Sequence, residues 1–160
     1  MPATPAPEHK WLKNLLGTWE YESVCPAGPD SPELRATGTD TARMLGDFWI
    51  ISENTGTMPG GAGTMTAILT LGYDPARGAF VGSWVCSSMT QQFTYEGELD
   101  ESARTLYLNT TGPDFTDPSK TARYRDIFEL VSDTERVFRS EVLTDDGWVE
   151  MMRSTQRRTS

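Results

Sequence analysis

One histidine, His9, and two cysteines, Cys25 and Cys86, are all this chain has of the residues that most often carry metals and nucleophilic chemistry. A histidine-rich metal centre cannot be built from one imidazole, and a Ser-His-Asp triad would have to be assembled around His9. No metal site and no cofactor are expected. Two cysteines are too few for a disulfide scaffold. In a reducing compartment they read as buried thiols, with no neighbouring cation or histidine to activate them. Positive charge is scarce as well: 14 Lys and Arg stand against 23 Asp and Glu, a formal charge of −9. That balance repels phosphate backbones and anionic membranes, so neither nucleic acid nor a membrane is an expected partner. Long apolar runs are missing, and the opening Met1-Pro2-Ala3-Thr4-Pro5-Ala6-Pro7 has neither a basic start nor an apolar stretch. The expected compartment is the cytoplasm.

What the chain does have is alternation and turns. Its 160 residues suit one domain able to bury roughly 70% of its unfolded surface. The reading is a flexible tail over 1–7 and a single domain over 8–160. Trp11, Leu12, Leu15 and Leu16 share one face of a short helix that Gly17 ends. After it come about ten strand-like segments, near 18–25, 35–45, 48–58, 64–73, 79–86, 89–99, 104–111, 120–131, 136–143 and 148–157. Turn clusters such as Asp74-Pro75-Ala76-Arg77-Gly78 and Asp145-Asp146-Gly147 separate them. The fold class predicted is all-β: an antiparallel up-and-down meander rolled into a closed barrel.

In such a meander successive turns fall at alternate ends. The three long connections, 26–34, 59–63 and 112–119, all land at one end, and the N-terminal helix sits at the other. One end is thus plugged and the other is a mouth with mobile loops. The Gly-rich segment 59–63 lacks the Lys-Ser or Lys-Thr and the following helix of a phosphate cradle, and reads as a flexible rim.

Alternation also assigns the inner face. A two-residue turn at Ser87-Ser88 sets Cys86 opposite Met89, Trp84 opposite Gln91, Gly82 opposite Phe93 and Phe80 opposite Tyr95, all on one aromatic face. Gly82, between Phe80 and Trp84, hints at spare interior room. Tyr124, Asp126, Phe128 and Leu130 form another inward row, with a carboxylate inside it. Centring the last hairpin on Asp146-Gly147 sets Ser140 opposite Arg153 and turns Val149, Met151, Arg153, Thr155 and Arg157 inward. A one-residue slip brings in Trp148, Glu150 and Met152 instead.

Gly17-Thr18-Trp19 after a short helix, with an arginine on the closing strand to stack on the tryptophan, resembles the signature of the calycin superfamily, which includes lipocalins and fatty-acid-binding proteins. Taken with His9-Lys10-Trp11-Leu12, Leu45-Gly46-Asp47-Phe48-Trp49, Met58-Pro59-Gly60-Gly61, Leu71-Gly72-Tyr73-Asp74-Pro75, Tyr124-Arg125-Asp126 and Arg157-Arg158, it resembles a bacterial family of uncharacterised lipocalin-like domains over nearly the whole chain. The resemblance implies a calycin-type barrel in which Gly17, Trp19 and Arg157 are structural. It carries no activity and no ligand.

The candidate ligand-binding set is Tyr21, Trp84, Gln91, Phe93, Tyr95, Tyr124, Asp126, Phe128, Ser140, Met151 and Arg153. Asp126 is the candidate for chemistry, because a carboxylate among aromatic rings is desolvated unless a cation pairs with it, and Arg153 is the expected partner. Asp126 then reads either as a structural group, in an internal salt bridge or held by hydrogen bonds, or as a general base. By the likeness to fatty-acid-binding barrels, Arg153 with Tyr124 and Gln91 could instead receive a ligand's carboxylate. Some calycin barrels hold haem through histidine, but His9 at the plugged end reads as a cap or packing residue. Six Phe, five Trp and five Tyr could pave a cavity or fill it. Three functions remain open: a binding protein for one small apolar or aromatic molecule, a cofactor-independent isomerase or cyclase using Asp126, and a protein-interaction domain with a filled barrel, for which a homodimer is one arrangement.

Overall fold

The computed structural model describes residues 3–160. Helix α1 (Pro7–Trp11) runs into a 3-10 turn over Leu12–Leu15, and ten strands follow: β1 (Gly17–Cys25), β2 (Leu34–Leu45), β3 (Trp49–Thr57), β4 (Thr64–Asp74), β5 (Ala79–Cys86), β6 (Phe93–Leu99), β7 (Thr105–Pro113), β8 (Thr121–Leu130), β9 (Glu135–Thr144) and β10 (Gly147–Arg158). Each strand pairs antiparallel with its sequence neighbours, and β10 returns to β1, so the sheet has no free edge. The closing register runs from Trp19 opposite Arg158 to Val24 opposite Arg153.

Period-two alternation sorts the faces. In β3, Ile50 and Ser52 are buried while Glu53 and Thr55 face water. The half of the interior nearest α1 is filled: Leu12 and Leu15 pack on Ile50, Leu71, Phe80, Leu106, Leu108 and Phe128. His9 is buried there. Its Nδ1 accepts from the Ala6 amide at 2.8 Å and its Nε2 lies 2.9 Å from the Tyr73 carbonyl, while the ring meets Phe48 edge-on. It caps and packs at the plugged end, as read from the sequence.

Gly17 makes the closure possible. Its φ of +104° is a conformation side chains rarely adopt, and a Cβ would stand 2.4 Å from the Ser160 carbonyl oxygen, to which the Thr18 amide bonds at 3.0 Å. Gly82 serves differently from the expected spare room: a Cβ there would lie 2.1 Å from the Thr70 carbonyl oxygen, so its missing side chain lets β4 and β5 approach.

Two hairpins differ from expectation. In β5–β6 the turn widens to 87–92 and Trp84 pairs with Phe93. The shift is two residues, so every face is kept but Gln91 leaves the sheet. In β9–β10 the turn is Asp145-Asp146, and Val149 pairs with Val142. A bulge at Met151 then changes parity, because Glu150 opposes Glu141 but Met152 opposes Ser140. Below the bulge Ser154 and Gln156 are buried, whereas Arg153, Thr155 and Arg157 face out. Above the bulge the pairing is two residues from the Val142–Met151 register but keeps its inner face, and below it the register slipped by one residue holds.

Candidate functional site

The half of the barrel away from α1 is hollow. The long connections, joined by 87–92, gather there, and a cavity of about 290 Å³ lies beneath them. The aromatic side chains do not meet across the middle. Tyr21, Trp84, Phe93, Tyr95, Tyr124, Asp126, Ser140 and Met151 all line this space. Phe128 lies below it, against Phe138 at 4.8 Å, beside a void of about 60 Å³.

Gln91 and Arg153 are corrections. Gln91 is exposed in the widened turn. Arg153 is turned out by the bulge and gives Nε and Nη2 to Glu150, with Nη2 at 2.8 Å. It joins an outer ladder in which Arg125, over the ring of Trp148, donates to Glu141 at 2.6 Å, and Arg139 bridges Glu129 and Glu141. Among the described residues no arginine lines the cavity to receive a ligand carboxylate.

Asp126 therefore stands without its expected partner. It is half-buried, on the wall of the cavity. Tyr95 donates its hydroxyl to Oδ2 at 2.5 Å and Ser140 to Oδ1 at 2.6 Å. Burial pushes the Asp126 carboxyl above the usual range, and these two hydroxyls pull part of the way back. Tyr95 is held well above an ordinary phenol, first by its burial and then by the charge of Asp126. Burial also raises the Cys25 thiol, another residue of the cavity lining.

A stability prediction follows from Asp126. The folded chain holds this proton more tightly than the unfolded one. Its contribution is therefore full below about pH 3.9 and is lost as pH rises through the folded value. Asp126→Asn keeps the shape and removes the charge, so it stabilises the barrel at pH 7.5 by on the order of 1 kcal/mol and by much less at pH 4. Urea unfolding at the two pH values checks this; an equal difference at both would assign the effect to packing.

Asn54, Phe115 and Met65 line the space without a signal in the sequence. Asn54 accepts the Tyr21 hydroxyl at 2.8 Å, holding that ring across Gly38 and Gly56, where a Cβ would come within 2.3 Å of the phenol oxygen. Phe115, on the 114–120 connection, leans on Tyr124 with ring centroids 5.2 Å apart. Met65, Met89, Met151 and Met152 give the walls four of the chain's seven methionines, side chains that adapt to an irregular guest.

The floor is built around Trp19. The expected partner, Arg157, is exposed; Arg136 and Arg158 stand over the indole instead, at 4.0 and 4.6 Å from its centroid. Arg136 is 1% exposed. It donates to Gln156 at 2.6 Å, to Asp40 at 2.7 Å and to the Leu15 carbonyl at 3.4 Å. Burial lowers its pKa to about 10, with Asp40 opposing the fall, and it stays charged at neutral pH. Among the described residues no His, Cys, Asp and Glu side chains group to hold a metal, and no helix is long and apolar enough to cross a membrane.

Comparison with known proteins agrees with this architecture. The crystal structure of Rv2717c from M. tuberculosis superposes with a TM-score of 0.66 at 12% identity, covering 98% of this chain and 100% of that one. A redesigned β-barrel, mFAP0, bound to DFHBI, superposes with a TM-score of 0.50 at 12% identity, covering 91% and 99%. At such identities the likeness is one of fold. No curated protein matches the chain significantly. From ahead of α1 to the last residue of β10, residues 4–158 match the family described as protein of unknown function (DUF1579), and the chain belongs to that family.

Proposed function

We propose that this protein is a calycin-type binding barrel that holds one small, largely apolar or aromatic molecule in the cavity below its long connections. The cavity itself carries the reading. It measures about 290 Å³, close to the lower end of ligand sites, and is walled by aromatic rings and methionines with few polar groups. A protein-interaction domain with a filled interior would have no such space. The mFAP0 barrel's DFHBI is that designed protein's ligand; the support here is the geometry of this chain.

The test is native mass spectrometry on protein purified quickly from its own cells, with extraction and identification of whatever is released. Ala36 lines the cavity, and Ala36→Phe fills part of it. The expected result is a stoichiometric small molecule on the wild type and its loss from folded Ala36→Phe. Equal retention by the variant would move the ligand out of the cavity.

A second reading rests on one observation, the carboxylate of Asp126 facing an aromatic cavity with a raised pKa and no cation. Such a group suits a general base, and the enzyme would be a cofactor-independent isomerase or cyclase. The extracted molecule separates the two readings: returned to the apo protein, it is either retained unchanged or converted.

A further inference from the structure

Among the described residues Asp126 is the only charged side chain that lines the cavity. The arginines of its own and the adjoining strands are engaged or turned away. Arg125 and Arg139 pair with Glu141 outside, Arg136 is held by Asp40 beneath the floor, Arg153 pairs with Glu150, and Arg123 is exposed. Among the described residues no cation is paired with Asp126. The carboxylate is nonetheless held in a fixed orientation, one hydroxyl on each oxygen, from Tyr95 and Ser140. Each oxygen keeps a second lone pair, so acceptor capacity remains on the side facing the cavity. A fixed, desolvated carboxylate with unused lone pairs and no counter-ion is unfavourable alone and complementary to a buried cation. The surrounding rings add to this, since their π-faces are negative and attract a cation lodged among them.

We propose that the cavity is selective for charge, and that its ligand is a small aromatic or apolar molecule bearing a protonated nitrogen, an organic ammonium or amidinium, seated on Asp126. The inference rests on the cavity being a ligand site. It reverses the expectation drawn from fatty-acid-binding barrels: this interior repels carboxylates and receives amines.

The experiment uses two shape-matched series, phenethylamine with phenethyl alcohol and phenylacetate, and tryptamine with tryptophol and indoleacetate. Each compound is titrated into the intact protein, and the methyl resonances of Met65, Met151 and Met152 are followed by NMR. The amine is expected to bind about tenfold or more tightly than the alcohol of its series, with the carboxylate weakest, because a charge-assisted hydrogen bond is about twice as strong as a neutral one. In Asp126→Asn the amine and alcohol should bind alike. Ser140→Ala keeps the charge and should keep the preference for amines. An alcohol or a carboxylate that equals the amine on the wild type overturns the charge selectivity and leaves the cavity as a binding site. If no member of either series moves the methionine methyls, the cavity reading itself fails.

Discussion

Arg136→Met lowers the stability of the barrel by about 3–5 kcal/mol, while Arg157→Met changes it by less than about 0.5 kcal/mol. The side chain at 136 is enclosed, stacked on Trp19 and bonded to Asp40, Gln156 and the Leu15 carbonyl. Methionine keeps much of the volume but leaves Asp40 a buried carboxylate whose remaining partner is the Ser52 hydroxyl. Uncompensated buried charge dominates the loss, so Asp40→Asn added to Arg136→Met should recover part of it even though each change alone destabilises. Urea unfolding of the two single variants and the double variant measures this coupling. If Arg136→Met and Arg157→Met have equal effects, the clamp does not hold the floor. The same experiment weighs the arginine that the chain's final residues suggest against the one that packs on Trp19.

Gly82→Ala destabilises by about 1–3 kcal/mol, an unusual penalty for adding one methyl group. The atoms the methyl meets are the Thr70 carbonyl oxygen at 2.1 Å, the Thr70 carbonyl carbon at 3.1 Å and the Leu71 Cα at 3.2 Å, all backbone. No rotamer change clears them, so β4 and β5 must separate along a ladder that also carries the Thr70–Ser83 hydroxyl contact at 2.9 Å. Trp84, two residues on, walls the cavity. Its fluorescence should therefore shift in Gly82→Ala, and thermal unfolding should begin at lower temperature. A variant with wild-type stability would mean that the two strands yield easily at this point.

How much of this could be read in advance follows from what alternation encodes. Strand positions and most inward faces depend on local periodicity, and an error of two residues in a hairpin preserves them. Phe93 and Tyr95 therefore reach the cavity although their cross-strand partners differ from expectation, and Gln91 is lost because it runs off the end. A bulge is an error of one. The segment Glu150-Met151-Met152 contains no glycine or proline to announce it, and everything beyond it changes side, so alternation alone predicts the opposite face for Arg153 and Arg157. Arg136 escapes local periodicity for another reason. It follows a turn in sequence, and its burial comes from Asp40, 96 positions earlier, and from Leu15, 121 positions earlier. No local pattern carries a pairing of that range. Asn54 and Gln156 were missed in the same way, since each acquires its role from a partner on another strand.

The β1–β10 seam has a bearing on how the protein is made. During synthesis β1 leaves the ribosome well before β10, so the barrel cannot close until β10 has emerged. Nine strands wait as an open ribbon with two bare edges and an unformed interior, and the final zipping joins segments separated by most of the chain. Until the seam forms, the edges of β1 and β9 lack the partner that the finished barrel gives them, and unpaired edges of that kind are what makes partly made sheets prone to aggregate.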